Sequence, residues 1–109
     1  MTYALGMVRF LVLYPQPMDR EAFERHYFDV HVPLAKQLPG LRSYTVSRNA
    51  SPVRGEERFF LVAVLEWDDM GSLRRDFSSA LGQATARDVD ELARLCPGIQ
   101  SLIYEVETL

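Results

Sequence analysis

A chain of 109 residues, 48% apolar and 25% charged, has the size and make-up of one ordinary soluble domain. A net charge of −3 argues against a nucleic-acid binder, and no apolar run reaches the roughly 18 residues that span a bilayer. The single cysteine, Cys96, forms neither an internal disulfide nor a zinc site alone, and Met1 to Gly6 lacks a secretory leader pattern, so cytoplasmic residence is expected.

Gly6 to Tyr14 reads as a strand of β-branched and aromatic residues stopped by Pro15 and Pro17. Its even positions, Val8, Phe10, Val12 and Tyr14, are all apolar, and Arg9 is the only charged odd one, which predicts a central strand covered on both faces. Asp19 is placed to cap a helix in which Phe23, Tyr27, Val30 and Leu34 form the buried stripe. Pro33 removes a helical hydrogen bond and biases Val32 away from the α region, predicting two helical pieces, the second starting at Pro33. Pro39-Gly40 ends that piece.

Leu41 to Arg48 is a more polar strand, nearer an edge, followed by a loop over Asn49 to Glu57. Arg58 to Trp67 is the most apolar strand, again apolar on both faces. Asp68 or Asp69 caps a short helix from Met70 to about Ser79; a second runs from about Leu81 to Leu95, and Ile99 to Val106 is the last strand. The order β-α-β-β-α-β is the split βαβ arrangement of ferredoxin-like α+β domains, an antiparallel sheet with helices on one face. Two helices cover one face only. The second apolar face therefore calls for a partner, most simply a second copy pairing sheet to sheet.

Both histidines lie in His26-Tyr-Phe-Asp-Val-His-Val-Pro-Leu34. Five residues apart on a helix, they fall on opposite shoulders of the stripe, roughly 140° apart, so a shared metal is not expected. His31 precedes the residue expected to cap the second helical piece. Nearby unpaired N–H groups and the helix dipole would favour its neutral form, able to accept a proton or polarise a carbonyl. A structural role, bonding backbone at the kink, is the alternative. Tyr44 could act as acid or donor opposite His31, or simply fill space. Alternation would put Arg42 on the same face as Tyr44, where it could hold an anion or sit at the rim. Tyr27, His26 and Trp67 are further candidate substrate contacts, each with a packing or surface alternative. Arg74-Arg75-Asp76 reads as a solvated helix face, and Asp88, Asp90 and Glu91 as an acidic patch too lean for a calcium loop. No glycine-rich nucleotide pattern occurs, and no cofactor is expected.

The pattern Phe23-x-x-His-Tyr-x-x-x-His31-x-Pro-Leu34, followed by Pro39-Gly40-Leu41-x-x-Tyr44, resembles the EthD family, small ferredoxin-like domains of the dimeric α+β barrel type. The resemblance implies a homodimer and a cleft between helix and sheet faced by the His-x-Pro histidine. It further implies either a cofactor-independent enzyme of isomerase, dehydratase or cyclase type on a small cyclic or aromatic molecule, or a non-catalytic accessory protein of an oxidative degradation system. Haem occurs elsewhere in that superfamily; only His26 or His31 could ligate it, and neither spacing nor surroundings single one out.

Overall fold

A computed structural model describes residues 4–109 of the chain. Its elements are β1 (Ala4–Tyr14), α1 (Arg20–His26), a π-helical turn (Tyr27–His31), α2 (Val32–Ala35), β2 (Leu41–Ala50), β3 (Phe59–Trp67), α3 (Met70–Ser78), α4 (Ala80–Leu95) and β4 (Gln100–Thr108). The strands form one antiparallel sheet in the order β2-β3-β1-β4. The two strands expected to be central, β1 and β3, are the inner pair. This is the α+β ferredoxin-like fold.

Cross-strand partners share a face of the sheet, so the register separates the two sides. Tyr14 pairs with Leu61, Val12 with Ala63 and Val8 with Trp67, and all six are buried beneath the helices. Leu11 pairs with Val64 and Leu102, and Leu13 with Val62. These residues, with the Arg9–Glu66 ion pair at 2.7 Å, form the opposite face, which no helix among the described residues covers. Leu102 there is 56% exposed.

Capping follows the sequence. Asp19 accepts from the Ala22 N–H at 3.1 Å and Asp69 from the Ser72 N–H at 2.7 Å. Ser79 separates α3 from α4: its Oγ donates to the Asp76 carbonyl at 2.5 Å and accepts from the Gly82 N–H at 3.0 Å. Gly82 is required by this close approach, because a Cβ there would lie 1.9 Å from the Asp76 carbonyl oxygen.

The first helical segment departs from expectation. Pro33 does not divide it; backbone angles stay right-handed helical from His26 through Lys36. The strain is absorbed upstream, where the Val32 N–H bonds the Tyr27 carbonyl five residues back. A π turn widens the helix ahead of the proline, relieving the clash its ring would make with a carbonyl of a regular helix. The extra residue also moves the buried stripe. After Phe23 and Tyr27 it continues through His31, Ala35 and Leu38, while Val30, expected in the stripe, is 45% exposed. Asp76, expected in solvent, is buried and accepts from the Trp67 indole N–H at 2.7 Å and the Gly40 N–H at 2.9 Å. Trp67 is thereby fixed as a core residue, and the Pro39-Gly40 turn is tied to α3.

Candidate functional site

A cleft of about 240 Å³ lies between the helices and the sheet. Phe10, Val12, Ala63 and Leu65 form its floor, Ala35 and Leu38 one wall, and Phe77, Ala86 and Val89 the other. Five of the residues that line it carry polar side-chain atoms: Tyr14, His31, Tyr44, Thr85 and Ser101. Thr85 is already committed, its hydroxyl donating to the Leu81 carbonyl at 2.9 Å. An apolar chamber with a few placed polar groups is the usual form of a small-molecule site.

The π turn sets His31 into this wall. Its Nδ1 lies 2.9 Å from Asp88 Oδ2, and its ring stacks on Tyr27 with centroids 5.6 Å apart. The other oxygen of Asp88 lies 2.8 Å from His26 Nε2. An ionised carboxylate only accepts, so each neutral imidazole donates to it. For His31 this fixes the tautomer with the proton on Nδ1, leaving the Nε2 lone pair without a protein partner among the described residues. No fully buried side-chain nitrogen or oxygen among them lacks a partner, so Nε2 retains access to the open space His31 lines.

Burial pushes the proton affinity of His31 down; the Asp88 contact opposes this and the charge of His26 reinforces it. The neutral form is favoured, as the sequence suggested, but for a different reason. His31 is not at a helix start: the segment is continuous through it, so no unpaired N–H groups of a second helix surround the ring.

Tyr44 enters from β2, and its hydroxyl is 2.6 Å from that of Tyr27. Tyr27 is fully buried and stands behind the wall, whereas Tyr44 is part of it. When Tyr27 donates to Tyr44, the Tyr44 O–H is free to turn into the cleft. Burial pushes the Tyr44 phenol up to about 12, and those of Tyr14 and Tyr27 up as well, so all three hold their protons at neutral pH.

The structure thus brings His31 and Tyr44 to one cleft and sets Tyr27 and His26 directly behind them. It keeps Arg42 and Trp67 away. The β2–β3 register shifts between Leu41 and Ser43, which breaks the alternation, and the exposed Arg42 binds Asp68 through Nε at 2.9 Å and Nη2 at 2.6 Å. Cys96 is buried, donates to the Pro15 carbonyl at 3.2 Å, and has its thiol pushed up by burial, which makes it inert. No group of three or more metal-ligating side chains was found among the described residues. Asp88 was missed by sequence reasoning. Its signal was register: it lies three residues after Thr85 and four before Leu92, on the inward stripe of α4 rather than on a solvated face.

A ferredoxin-like α+β sandwich with an apolar cleft under a histidine-bearing helix defines a class of small domain rather than one protein. Within that class, residues 15–95 match the model of the EthD domain, and the chain belongs to the EthD family. It is 29% identical over 103 residues to an uncharacterised 11.0 kDa protein of the thcB-thcC intergenic region of Rhodococcus erythropolis, spanning 94% of this chain and 98% of that protein. The crystal structure of an ethyl tert-butyl ether d (EthD) family protein from Bacillus halodurans is 35% identical, with a TM-score of 0.79 over 92% of this chain and 98% of that one. The same fold recurs in SnoaB, a cofactor-independent oxygenase from Streptomyces nogalater, at 18% identity and a TM-score of 0.68 over 94% and 95% of the two chains. It recurs also in a dimeric ferredoxin-like protein of unknown function from Thermobifida fusca, at 11% identity and a TM-score of 0.69 over 97% and 96%. No helix of the described residues is long and apolar enough to cross a membrane.

Proposed function

We propose that this chain is a cofactor-independent enzyme of isomerase, dehydratase or cyclase type, moving a proton on a small cyclic or aromatic molecule bound in the cleft. The observation that carries this is the Asp88–His31 pair at 2.9 Å, with Nε2 left free beside an apolar chamber. A carboxylate that holds an imidazole in one tautomer leaves its far nitrogen to take a proton. In this reading Nε2 removes a proton from carbon or oxygen of the substrate. The resulting imidazolium is stabilised by Asp88 until it returns the proton at another atom. The Tyr44 O–H donates to a carbonyl or lactone oxygen on which negative charge develops. That a fold neighbour is a cofactor-independent oxygenase is consistent with chemistry done by side chains in such a cleft.

Turnover of a panel of lactones and phenolic polyketides, measured against pH, tests the reading. A shoulder near neutral pH that disappears in His31→Gln supports it. Full turnover by that variant overturns it. One observation favours a second reading, a binding or accessory protein of an oxidative pathway: the Tyr44 hydroxyl is already engaged by Tyr27 and the chamber is otherwise almost wholly apolar. Saturable binding with no turnover across the same panel would select it.

The same proposal includes a homodimer formed through the bare sheet face. Leu11, Leu13, Val62, Val64 and Leu102 lie together there, and burying them against a second copy removes apolar surface that one chain leaves in water. A neighbour of this fold is described as dimeric. Sedimentation should show two subunits, and Val64→Lys, which puts a charge at the centre of the seam, should give one. The same proposal includes cytoplasmic residence, as expected from the sequence.

A further inference from the structure

Five residues separate His26 from His31, and in a regular α-helix their rings would stand roughly 140° apart. The extra residue of the π turn closes that angle. Both rings then reach the same carboxylate on α4, at 2.8 and 2.9 Å. Their surroundings differ: the His26 side chain is 28% exposed and outside the cleft wall, that of His31 only 7% exposed and within it. One negative charge therefore holds two groups that can each become positive, one facing water and one facing the cleft.

We propose that His26 is a positioning residue that tunes His31 through Asp88: the shared carboxylate couples the two imidazoles, so that a proton taken by His26 keeps His31 free as a base. Two imidazoliums on one carboxylate would leave uncompensated positive charge in a partly buried site, so the two proton affinities oppose each other. The ring outside the cleft is the one more open to water. This rests on the reading of His31 as the base, and it extends that base's working range on the acid side.

Few other groups face the unit. On α4, Arg87 and Glu91 are exposed, and Glu91 pairs with Arg94 at 3.6 Å. On the histidines' own helical segment, Tyr27 stacks on His31, while Arg25 and Asp29 are exposed. The sheet presents Tyr14 and Tyr44, whose phenols burial keeps protonated. The energetic directions agree with the geometry, because the Asp88 contact favours protonated His31 and the charge of His26 disfavours it.

The test follows the histidine ring resonances of the full chain by NMR from about pH 5 to 8, the range in which imidazoles change charge. His26→Gln keeps an N–H for Asp88 and removes the charge. It should move the His31 titration to higher pH, and the acid limb of any turnover with it. A His31 curve unmoved by His26→Gln overturns the proposal. The titration needs no substrate, so failures separate. An active His31→Gln sinks the base reading and leaves the coupling standing; independent titrations with an inactive His31→Gln sink only the coupling.

Discussion

Asp76 and Asp88 are two carboxylates on consecutive helices, each turned inward and each taking two hydrogen bonds. Asp76 accepts from an indole N–H and a backbone N–H, donors that cannot lose their protons at any pH the fold survives. Asp88 is paired with two imidazoles, a type of side chain that can gain or lose a proton. The first arrangement is a fixed joint between β3, the Gly40 turn and α3. The second is adjustable and lies at the edge of the cleft. What separates the structural carboxylate from the one proposed to act in the site is the chemistry of its donors, since both are well shielded from water: Asp76 is 3% exposed and the Asp88 side chain 11%.

The largest effect should come from Asp76→Ala. It leaves the buried Trp67 N–H and the part-buried Gly40 N–H unsatisfied, at about 1–3 kcal/mol for a fully buried group and less for the other, so urea unfolding should show a loss of about 3 kcal/mol. A loss under about 1 kcal/mol would mean that the joint is dispensable and the contrast with Asp88 unfounded. Asp88→Asn should show the opposite balance. Stability at neutral pH should change by no more than about 1 kcal/mol, while proton-transfer turnover falls by about 100-fold or more. A variant that fails to fold would make Asp88 a second Asp76.

A subtler difference appears when stability is measured against pH. His31 has a proton affinity lowered by folding, so between its folded and unfolded titrations the unfolded chain binds more protons and stability rises with pH. The contribution is complete above the unfolded value of about 6.5 and is lost as pH falls below it toward the folded value. His31→Gln should flatten this part of the curve, whereas Asp76→Ala should lower the curve and leave its slope there alone.

The fold was legible because its signals are local and redundant. Strand composition, the Asp19 cap and the Pro-Gly stops each marked elements that the structure contains, and the two-faced apolar strands β1 and β3 marked the centre of the sheet. The site was legible only in pieces. His31 and Tyr44 stood out through a motif, and the structure puts both in one cleft. Asp88 and Asp76 did not, because a carboxylate on a helix face is ordinarily solvated, and only what packs against each, the histidine-bearing helical segment for Asp88 and the strand and turn for Asp76, shows otherwise. The π turn was hidden for a related reason. Periodicity assumes a constant angle per residue, and one inserted residue changes which side chains point inward: Val30 gives way to His31, and the two histidines converge. Arg42 was misplaced by the same assumption in a strand, where an irregular register breaks the alternation.

The smallest effect is expected at the phenol pair. Tyr44→Phe keeps the ring and removes one hydrogen-bond partner of the fully buried Tyr27, which should cost about 1 kcal/mol at neutral pH. The alkaline range gives a sharper reading. Burial holds the Tyr44 phenol at about 12, above its unfolded value near 10, so between these the folded chain binds more protons and stability falls as pH rises. Tyr44→Phe lacks that contribution, and its stability should fall less steeply from about pH 10 upward, though Tyr14 and Tyr27 still contribute. If Tyr44 donates to the substrate, the same variant loses turnover while holding ligand about as well, because the hydrogen bond matters most where charge develops. A variant that loses ligand binding and turnover in equal measure would instead make Tyr44 part of the chamber's shape, and His31 would be left to act without a donor opposite it.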